Sequence, residues 1–321
     1  MPPAMELGYA LSSEEHSPAD LVRNARSAEE AGFTFGLISD HIHPWIDAQG
    51  HSAFVWSAIG AIARATERFR VGTGVTCPLI RIHPAIVAHA AATCACLMPG
   101  RFFLGVGTGE NLNEHVLGAK WPAPDERLEM LEEAVAVIRL LWRGGYQTHR
   151  GGHYTVENLR IFDLPDEPID IAVAAMQPRA AELAGRIGDA LVNVAPKREI
   201  IENFEDAGGK GKPKYGQLTV CWAKSTDEAK KIAFEAWPNA LVEGSASQEL
   251  PVPSDFEQLV EDRDADELEG MLTLGPDPEE YVEQLREYQQ AGYTHVYFHQ
   301  VGPDQDGFLE FARRELLPRF S

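Results

Sequence analysis

Cysteine is scarce in this chain, with four residues in 321. They are Cys77, Cys94, Cys96 and Cys221, and their spacing matches neither a zinc site nor a disulfide framework. Cys94 and Cys96 lie in an alanine-rich helical run, where packing in the core explains them better than metal binding does. Scattered thiols are typical of a reducing compartment, so we expect a cytoplasmic protein without a metal site.

Long apolar runs and positive charge are also lacking. No stretch approaches the roughly 18 apolar residues of a membrane span, and the N-terminus has no basic region followed by an apolar one. Lys and Arg number 28 against 49 Asp and Glu, which gives a formal net charge of −21. A chain this acidic is a poor partner for nucleic acid or anionic membrane. We expect a soluble protein with an acidic, salt-adapted surface and a small-molecule partner.

What the sequence does contain is an alternation of strand and helix patterns. The predicted strands cover residues 5–11, 34–39, 70–78, 101–107, 169–173, 190–194, 217–223 and 294–299. The predicted helices cover residues 18–31, 54–65, 84–97, 125–142, 179–187, 198–207, 227–236, 278–291 and 308–316. Eight strands separated by helices predict an α/β fold, a (β/α)8 TIM barrel, with a doubly wound open sheet as the alternative.

Two segments interrupt the alternation. Residues 144–162 are typical of a small hairpin, and residues 238–275 combine prolines with an acidic run. No internal repeat and no flexible linker between domains is visible. The sequence therefore predicts a single barrel domain over residues 1–321 with these two segments as insertions.

The most informative stretch is residues 35–45, in which an apolar strand ends in polar and aromatic side chains. Asp40, His41, His43 and Trp45 all follow this strand. Buried strands are normally apolar along their length, and in a barrel the C-terminal strand ends form the rim where catalytic groups lie. Imidazole titrates near neutral pH, so His41 is predicted to be a general base for a hydroxyl group.

A second polar segment follows the fourth strand. Glu110 would be the acid that complements the base, although a charge at a helix start is the alternative explanation. The preceding glycines have the spacing G-x-G-x-G, which departs from the dinucleotide fingerprint. They either let a flat ring approach the backbone or serve small-residue packing in the barrel. The G-x-S-x-G elbow of serine hydrolases is absent.

These segments resemble the luciferase-like monooxygenase superfamily, in the branch that uses the deazaflavin coenzyme F420. The similar segments, in order, are residues 7–9, 39–45, 72–78, 105–114 and 184–189. Within that branch the sequence is most similar to glucose-6-phosphate dehydrogenases and secondary-alcohol dehydrogenases.

The resemblance implies a TIM barrel, usually a homodimer, that holds coenzyme F420 in a pocket at the rim. It also implies hydride transfer between the deazaflavin C5 and a hydroxylated substrate, which would be a secondary alcohol, a sugar or a sugar phosphate. An FMN-dependent monooxygenase of the wider superfamily is the alternative.

The positions of the motifs imply roles for individual residues. His41 would accept the proton of the substrate hydroxyl, and Glu110 would serve a nitrogen of the ring. Gly74 and Val75 match the place where the family carries a non-proline cis peptide. The expected cofactor contacts are Asp40, Gly74, Val75, Gly109, Asn113, Met176, Gln177 and Ala195. The expected substrate contacts are Glu14, Trp45 and Lys197.

One departure from the family pattern concerns the phosphate of a sugar phosphate. Of the basic residues that the family places around it, only Lys197 is matched, and residues 255–272 are mainly acidic here, with Arg263 as the one possible substitute. Losing two of three such cations removes charge-assisted bonds of about 1.5–3 kcal/mol each. The sequence therefore disfavours glucose 6-phosphate while keeping a hydroxylated substrate.

Overall fold

The computed structural model describes residues 5–242, 244 and 246–320. Its strands are β1 (Glu6–Leu11), β2 (Phe35–Ile38), β3 (Arg70–Thr73), β4 (Phe102–Val106), β5 (Gln147–Arg150), β6 (Thr155–Leu159), β7 (Ile171–Ala174), β8 (Ala190–Asn193), β9 (Lys214–Cys221), β10 (Thr273–Leu274) and β11 (His295–Gln300). Its α-helices are α1 (Pro18–Ala31), α2 (Val55–Ala65), α3 (Pro84–Leu97), α4 (Asn111–Glu114), α5 (Pro124–Leu141), α6 (Pro178–Ile187), α7 (Arg198–Phe204), α8 (Thr226–Ala236), α9 (Ala246–Glu249), α10 (Pro253–Val260), α11 (Pro278–Ala291) and α12 (Gln305–Phe311).

Eight parallel strands close into a barrel. Going round it, β1 pairs with β2, then follow β3, β4, β7, β8, β9 and β11, and β11 pairs again with β1. The short strand β10 adds to β9 outside this ring, while β5 and β6 form a separate antiparallel pair. This topology confirms the predicted (β/α)8 barrel and rejects the open sheet.

Local sequence signals set the ends of the outer helices. Helix α1 begins after Ser17, whose hydroxyl accepts the Asp20 N–H, and Pro18 occupies the first turn, where no N–H is needed. The helix ends at Gly32, which has φ +109° and whose N–H donates to the carbonyls of residues 28 and 29. Helix α11 repeats this arrangement between Asp277 and Gly292.

The segment 144–162 contains the predicted hairpin, β5 and β6. Glu133 of α5 fixes it to the barrel: its carboxylate lies 3.0 Å from His149 Nε2 and accepts three backbone N–H groups, those of residues 152–154. Burial disfavours the ionised Glu133, but these hydrogen bonds outweigh burial and keep its pKa below the usual value. In the segment 238–275, by contrast, the structure has helices α9 and α10 and strand β10, which the sequence did not predict.

The lower half of the barrel is filled with aromatic side chains. The rings of Phe103 and Tyr215 stack with centroids 5.2 Å apart, and Phe35 packs edge-on against Tyr215. At the N-terminal mouth of the barrel, Arg70 donates a hydrogen bond of 3.2 Å to the Tyr215 hydroxyl. In the described part of the barrel, the space for a ligand therefore lies towards the C-terminal ends of the strands. Among the described helices, none is long and apolar enough to cross a membrane.

Candidate active site

A cavity of about 490 Å³ opens at the C-terminal end of the barrel. Because parallel strands all end at this rim, the loops that follow them can place side chains from distant parts of the chain around one space. The predicted site residues that line it are Glu14, His41, Trp45, Gly74, Val75, Gly109, Glu110, Met176 and Gln177. The base and acid candidates thus face a common cavity.

The hydrogen bonds around His41 determine which nitrogen carries the proton. Its Nδ1 lies 3.2 Å from the carbonyl oxygen of His43 and 3.3 Å from Glu14 Oε1. A carbonyl oxygen only accepts, so Nδ1 is the protonated nitrogen in the neutral ring. Nε2 makes no hydrogen bond with any described residue, and the ring lies against Trp45 at a centroid distance of 5.0 Å. His41 therefore presents an unprotonated nitrogen to a ligand.

Glu14, which follows β1, is a buried carboxylate that accepts on both oxygens. Besides its contact with His41, its Oε2 accepts the hydroxyls of Ser39 at 2.6 Å and Ser12 at 3.1 Å. Burial opposes ionisation of this carboxyl, but the neighbouring His41 and the hydrogen bond from Ser39 together lower its pKa. Glu14 is therefore charged at neutral pH and orients the imidazole.

A second pair of the same kind lies beside the first, and sequence reasoning missed its carboxylate. Glu15 Oε2 lies 2.9 Å from His299 Nε2, and Glu15 Oε1 accepts a hydrogen bond of 2.9 Å from the Gly302 N–H. His299 lines the cavity and meets the Trp237 ring edge-on at 4.4 Å. The two adjacent glutamates at the end of β1 were the available sequence signal.

Glu110 lies at the start of helix α4. Its backbone carbonyl accepts the N–H groups of Asn113 at 3.1 Å and Glu114 at 3.2 Å, so it occupies the helix-start position that we considered as the alternative. Its carboxylate also lines the cavity and bonds to no described residue. The backbone of Glu110 therefore starts the helix, while its carboxylate faces the cavity and remains available to a ligand.

Asp40, expected to touch the cofactor, lies behind the cavity wall. Its carboxylate accepts the Thr76 hydroxyl at 2.7 Å and pairs with Arg81 at 3.1 Å. Arg81 also pairs with Glu114 at 3.2 Å, and all three charged side chains are at most 7% exposed. The buried guanidinium thus holds the carboxylate behind the residues that line the cavity, and contact of Asp40 with a cofactor stays a prediction.

Asn113 also lies behind the wall. Its Oδ1 accepts the backbone N–H groups of Ile42 at 2.9 Å and His43 at 3.2 Å. Its Nδ2 is buried without a hydrogen-bond partner. Asn113 does not line the cavity but holds the loop that carries His41, and its contact with a cofactor stays a prediction.

Ala195 and Lys197 do not line the cavity either. After β8 the chain turns outward, because Asn193 Oδ1 accepts the Ala195 N–H at 2.8 Å and the Ala195 carbonyl accepts the Tyr293 hydroxyl at 2.8 Å. Lys197 is exposed and directly precedes helix α7. The structure therefore places the one matched phosphate-site cation outside the wall of this cavity.

The glycine-rich segments at the rim have two different functions. The Gly74–Val75 peptide bond is cis, as the resemblance implied. A Cβ on Gly107 would lie 2.7 Å from the Val75 side chain, which supports small-residue packing as the explanation at that position. Gly109 has φ +72°, a conformation that favours glycine, immediately before Glu110.

Sequence reasoning also missed Arg127 of α5, which lines the cavity and is 2% exposed. Its guanidinium lies 4.2 Å from the centre of the Trp121 ring, and its Nη2 is 3.4 Å from Glu249. Its Nε and Nη1 have no hydrogen-bond partner. The first turn of α6, next to Gln177, adds backbone N–H groups that no helix can satisfy internally. This side of the cavity suits a negatively charged group.

Comparisons with known proteins agree with this geometry. The family model described as luciferase-like monooxygenase matches residues 5–295. The F420-dependent glucose-6-phosphate dehydrogenase of Beutenbergia cavernae is 37% identical, with 98% of this chain and 97% of that protein covered. The same-named protein of Nakamurella multipartita is 34% identical, covering 99% and 97%.

A solved structure of an F420-dependent secondary alcohol dehydrogenase, in complex with an F420–acetone adduct, superimposes with a TM-score of 0.92. It is 28% identical, and the match covers 99% of each chain. The family match covers most of this chain, and the curated relatives exceed 30% identity over nearly all of it. The chain belongs to the luciferase-like monooxygenase family.

Proposed function

We propose that this protein is a coenzyme F420-dependent oxidoreductase acting on the CH–OH group of a hydroxylated substrate. The observation that carries the proposal is the shared cavity of His41 and Glu110, each of which presents a polar group without a partner among the described residues. The names of the relatives and of the solved dehydrogenase support the choice of cofactor.

The residues present fit a flat, anionic cofactor. The cis peptide at Gly74–Val75 and the glycine at position 109 line one side of the cavity and would hold the ring. The two unpaired N–H-bearing nitrogens of buried Arg127 suit the phosphodiester and carboxylates of the F420 tail. When bound, the deazaflavin exchanges a hydride at its C5 carbon.

The protein's own groups handle the protons. His41 Nε2 accepts the proton of the substrate hydroxyl as the hydride leaves the carbinol carbon, and the Glu14 carboxylate stabilises the resulting imidazolium. Glu110 would supply a proton or a hydrogen bond to a ring nitrogen of the bound cofactor, and Trp45 would shield the substrate side from water. Asp40 and Asn113 act indirectly, since they fix the loops behind His41 and Glu110.

Titration with F420 tests the proposal, followed by loss of the oxidised chromophore over a panel of alcohols and sugars. We expect binding at micromolar cofactor, and His41→Asn and Glu110→Gln each to lower the turnover number by about 10²–10⁴ while the folded protein still binds F420. Glu133→Gln, which alters the hairpin contact far from the cavity wall, is the matched control. Purification with tight yellow FMN, or absence of F420 binding, would contradict the proposal.

We also propose that the enzyme is a cytoplasmic homodimer. Three large apolar side chains around α2 and α3 are exposed: Phe54 by 61%, Ile86 by 59% and Leu97 by 46%. Apolar area of this kind is typical of a subunit interface. The four cysteines are free thiols, as suits a reducing compartment. Light scattering after size-exclusion chromatography should give twice the chain mass, and Ile86→Asp should shift it to the monomer.

A further inference from the structure

Strand β11 places an unusual residue at the floor of the cavity. Its inward-facing side chains alternate with buried apolar ones, so that His295, Tyr297 and His299 form a row from the lower barrel to the rim. Tyr297 is 2% exposed and lines the cavity. Its hydroxyl makes no hydrogen bond with any described residue. Burial raises the pKa of this phenol, which therefore remains a hydrogen-bond donor at every working pH.

The surroundings of Tyr297 do not explain its hydroxyl. It belongs to an apolar cluster in the barrel interior, made of Phe35, Leu37, Phe103, Ala172, Ala190, Val192, Tyr215 and Tyr297. A phenylalanine would fill the same volume without a polar atom. Because Tyr297 lines the cavity and no described residue accepts a hydrogen bond from its hydroxyl, the position indicates a partner that arrives with the ligand.

Gln217 supplies a second polar atom at the same level. It is the register partner of Tyr297 on the neighbouring strand β9 and also lines the cavity. Its Nε2 lies 3.3 Å from the Thr219 hydroxyl, and its amide oxygen accepts no hydrogen bond from a described residue. A phenol donor beside an amide acceptor matches a ligand hydroxyl, which both accepts and donates.

The barrel topology assigns these two residues to the substrate and not to the ring. In the closed ring of strands, β11 lies opposite β4 and β9 lies opposite β3. The residues proposed to hold the cofactor follow β3 and β4, namely Gly74, Val75 and Gly109. Tyr297 and Gln217 therefore face the cofactor across the cavity, on the side of Glu14 and His299.

The chemistry of this side suits a neutral ligand. It presents two carboxylate–imidazole pairs, Glu14–His41 and Glu15–His299, together with the indoles of Trp45 and Trp237. The lysines and arginines that line the cavity in the described residues are Arg127 and Arg179, and both come from the helices that follow β4 and β7. Buried carboxylates repel a phosphate, whereas hydrogen-bond acceptors and aromatic rings match the O–H groups and C–H faces of a sugar.

We infer that the substrate is a neutral sugar or polyol, with its reacting hydroxyl at His41 and a second hydroxyl bound between Tyr297 and Gln217. This inference rests on the proposed function and narrows its substrate class. It departs from the sugar phosphate in the names of the curated relatives, in line with the exposed position of Lys197 outside the cavity wall.

Steady-state kinetics with F420 test the inference. The panel pairs a neutral sugar or polyol with its phosphate ester, with the deoxy analogue lacking the second hydroxyl, and with a simple secondary alcohol. Tyr297→Phe should lower kcat/KM for the polyol by about 3- to 10-fold, mainly through KM, and should leave kcat/KM for the deoxy analogue unchanged. Tyr281→Phe is the matched control, because its hydroxyl bonds to the Gly275 carbonyl instead of lining the cavity.

A second measurement needs no cofactor. Polyol titration of the free protein should perturb the tryptophan fluorescence of Trp45 and Trp237, and Tyr297→Phe should weaken that binding by the same factor. Equal affinity in wild type and Tyr297→Phe, or preference for the phosphate ester, overturns the inference whether or not F420 binds. A loss confined to F420 affinity would assign the hydroxyl to the cofactor and also overturn it. Failure of wild type to bind F420 would reject only the proposed function.

Discussion

The substitution Glu14→Gln separates two possible roles of Glu14: holding the neighbouring serines and orienting the His41 imidazole. Its Oε2 accepts two serine hydroxyls and its Oε1 faces His41 Nδ1 at 3.3 Å. In glutamine the carbonyl oxygen would keep the two serine bonds, and the amide NH2 would then face Nδ1. Two N–H donors cannot share that contact, so the imidazole loses the anion that stabilises its charged form, while the His43 carbonyl still accepts from Nδ1.

The substitution thus weakens the base without removing the side chain. An imidazolium without its neighbouring carboxylate should lower the turnover number by about 10²–10⁴, equivalent to roughly 3–5 kcal/mol in the activation barrier. Binding of F420 should be unchanged, because Glu14 follows β1, whereas the proposed ring contacts Gly74 and Gly109 follow β3 and β4. Single-turnover loss of the oxidised F420 chromophore measures the first quantity, and equilibrium titration measures the second.

Two controls make this prediction specific. Glu14→Asp retains the charge and should recover part of the rate, while Glu133→Gln should behave as wild type. Because the pKa of Glu14 is lowered, its carboxylate should remain ionised through mildly acidic pH, so protonation of Glu14 should not limit activity there. If Glu14→Gln retains more than a third of the wild-type turnover number, the orienting contact with His41 is not needed for catalysis.

Three further perturbations test other parts of the structure. Arg81→Met leaves Asp40 and Glu114 buried without their common cation, and denaturant unfolding should show a loss of about 3–5 kcal/mol. Arg127→Met should weaken F420 binding at least tenfold in titration with little effect on turnover at saturation, because two charged N–H groups are lost. Burial lowers the pKa of His295 from 6.5 to about 4. As the pH falls, this imidazole therefore becomes protonated in the unfolded chain before it does so in the folded protein. The free energy of unfolding should fall by about 2–3 kcal/mol between pH 6.5 and 4, and it should fall less in His295→Gln.

Each of these outcomes can go the other way. Unchanged F420 affinity in Arg127→Met would show that Arg127 does not bind the anionic groups of the cofactor. A stability profile of His295→Gln that parallels wild type between pH 6.5 and 4 would show that His295 is not protonated differently in the folded and unfolded chain. An Arg81→Met protein as stable as wild type would mean that the two carboxylates protonate or reach water when the guanidinium is gone.

The fold could be predicted because its signals are local and repeated. Capping residues such as Ser17 and Gly32 mark helix ends, and buried parallel strands are continuous apolar runs. One strand boundary was predicted wrongly because a polar residue interrupts such a run. Strand β9 begins at Lys214, not at residue 217 as predicted, because the Lys214 ammonium is buried in an ion pair with Glu205 that the sequence does not reveal.

The candidate site was predictable in position but not in side-chain direction. Residues at strand ends reach the rim in any barrel, which placed His41 and Glu110 correctly on the cavity. Asp40 comes directly before His41, but its side chain points away from the cavity because it forms an ion pair with Arg81. Arg81 lies more than forty residues later in the sequence, so this pair could not be read from the local pattern. Tyr297 was passed over because an aromatic residue in a buried strand normally needs no explanation.

Helix α4 is a single turn that connects Glu110 with the loop of His41. Glu110 lies at the start of this turn, and Asn113 near its end accepts hydrogen bonds from the backbone N–H groups of Ile42 and His43, next to the His41 imidazole. Any displacement of the turn would therefore move the acid and release the base together. Because of these two hydrogen bonds, we expect the positions of Glu110 and His41 to depend on each other.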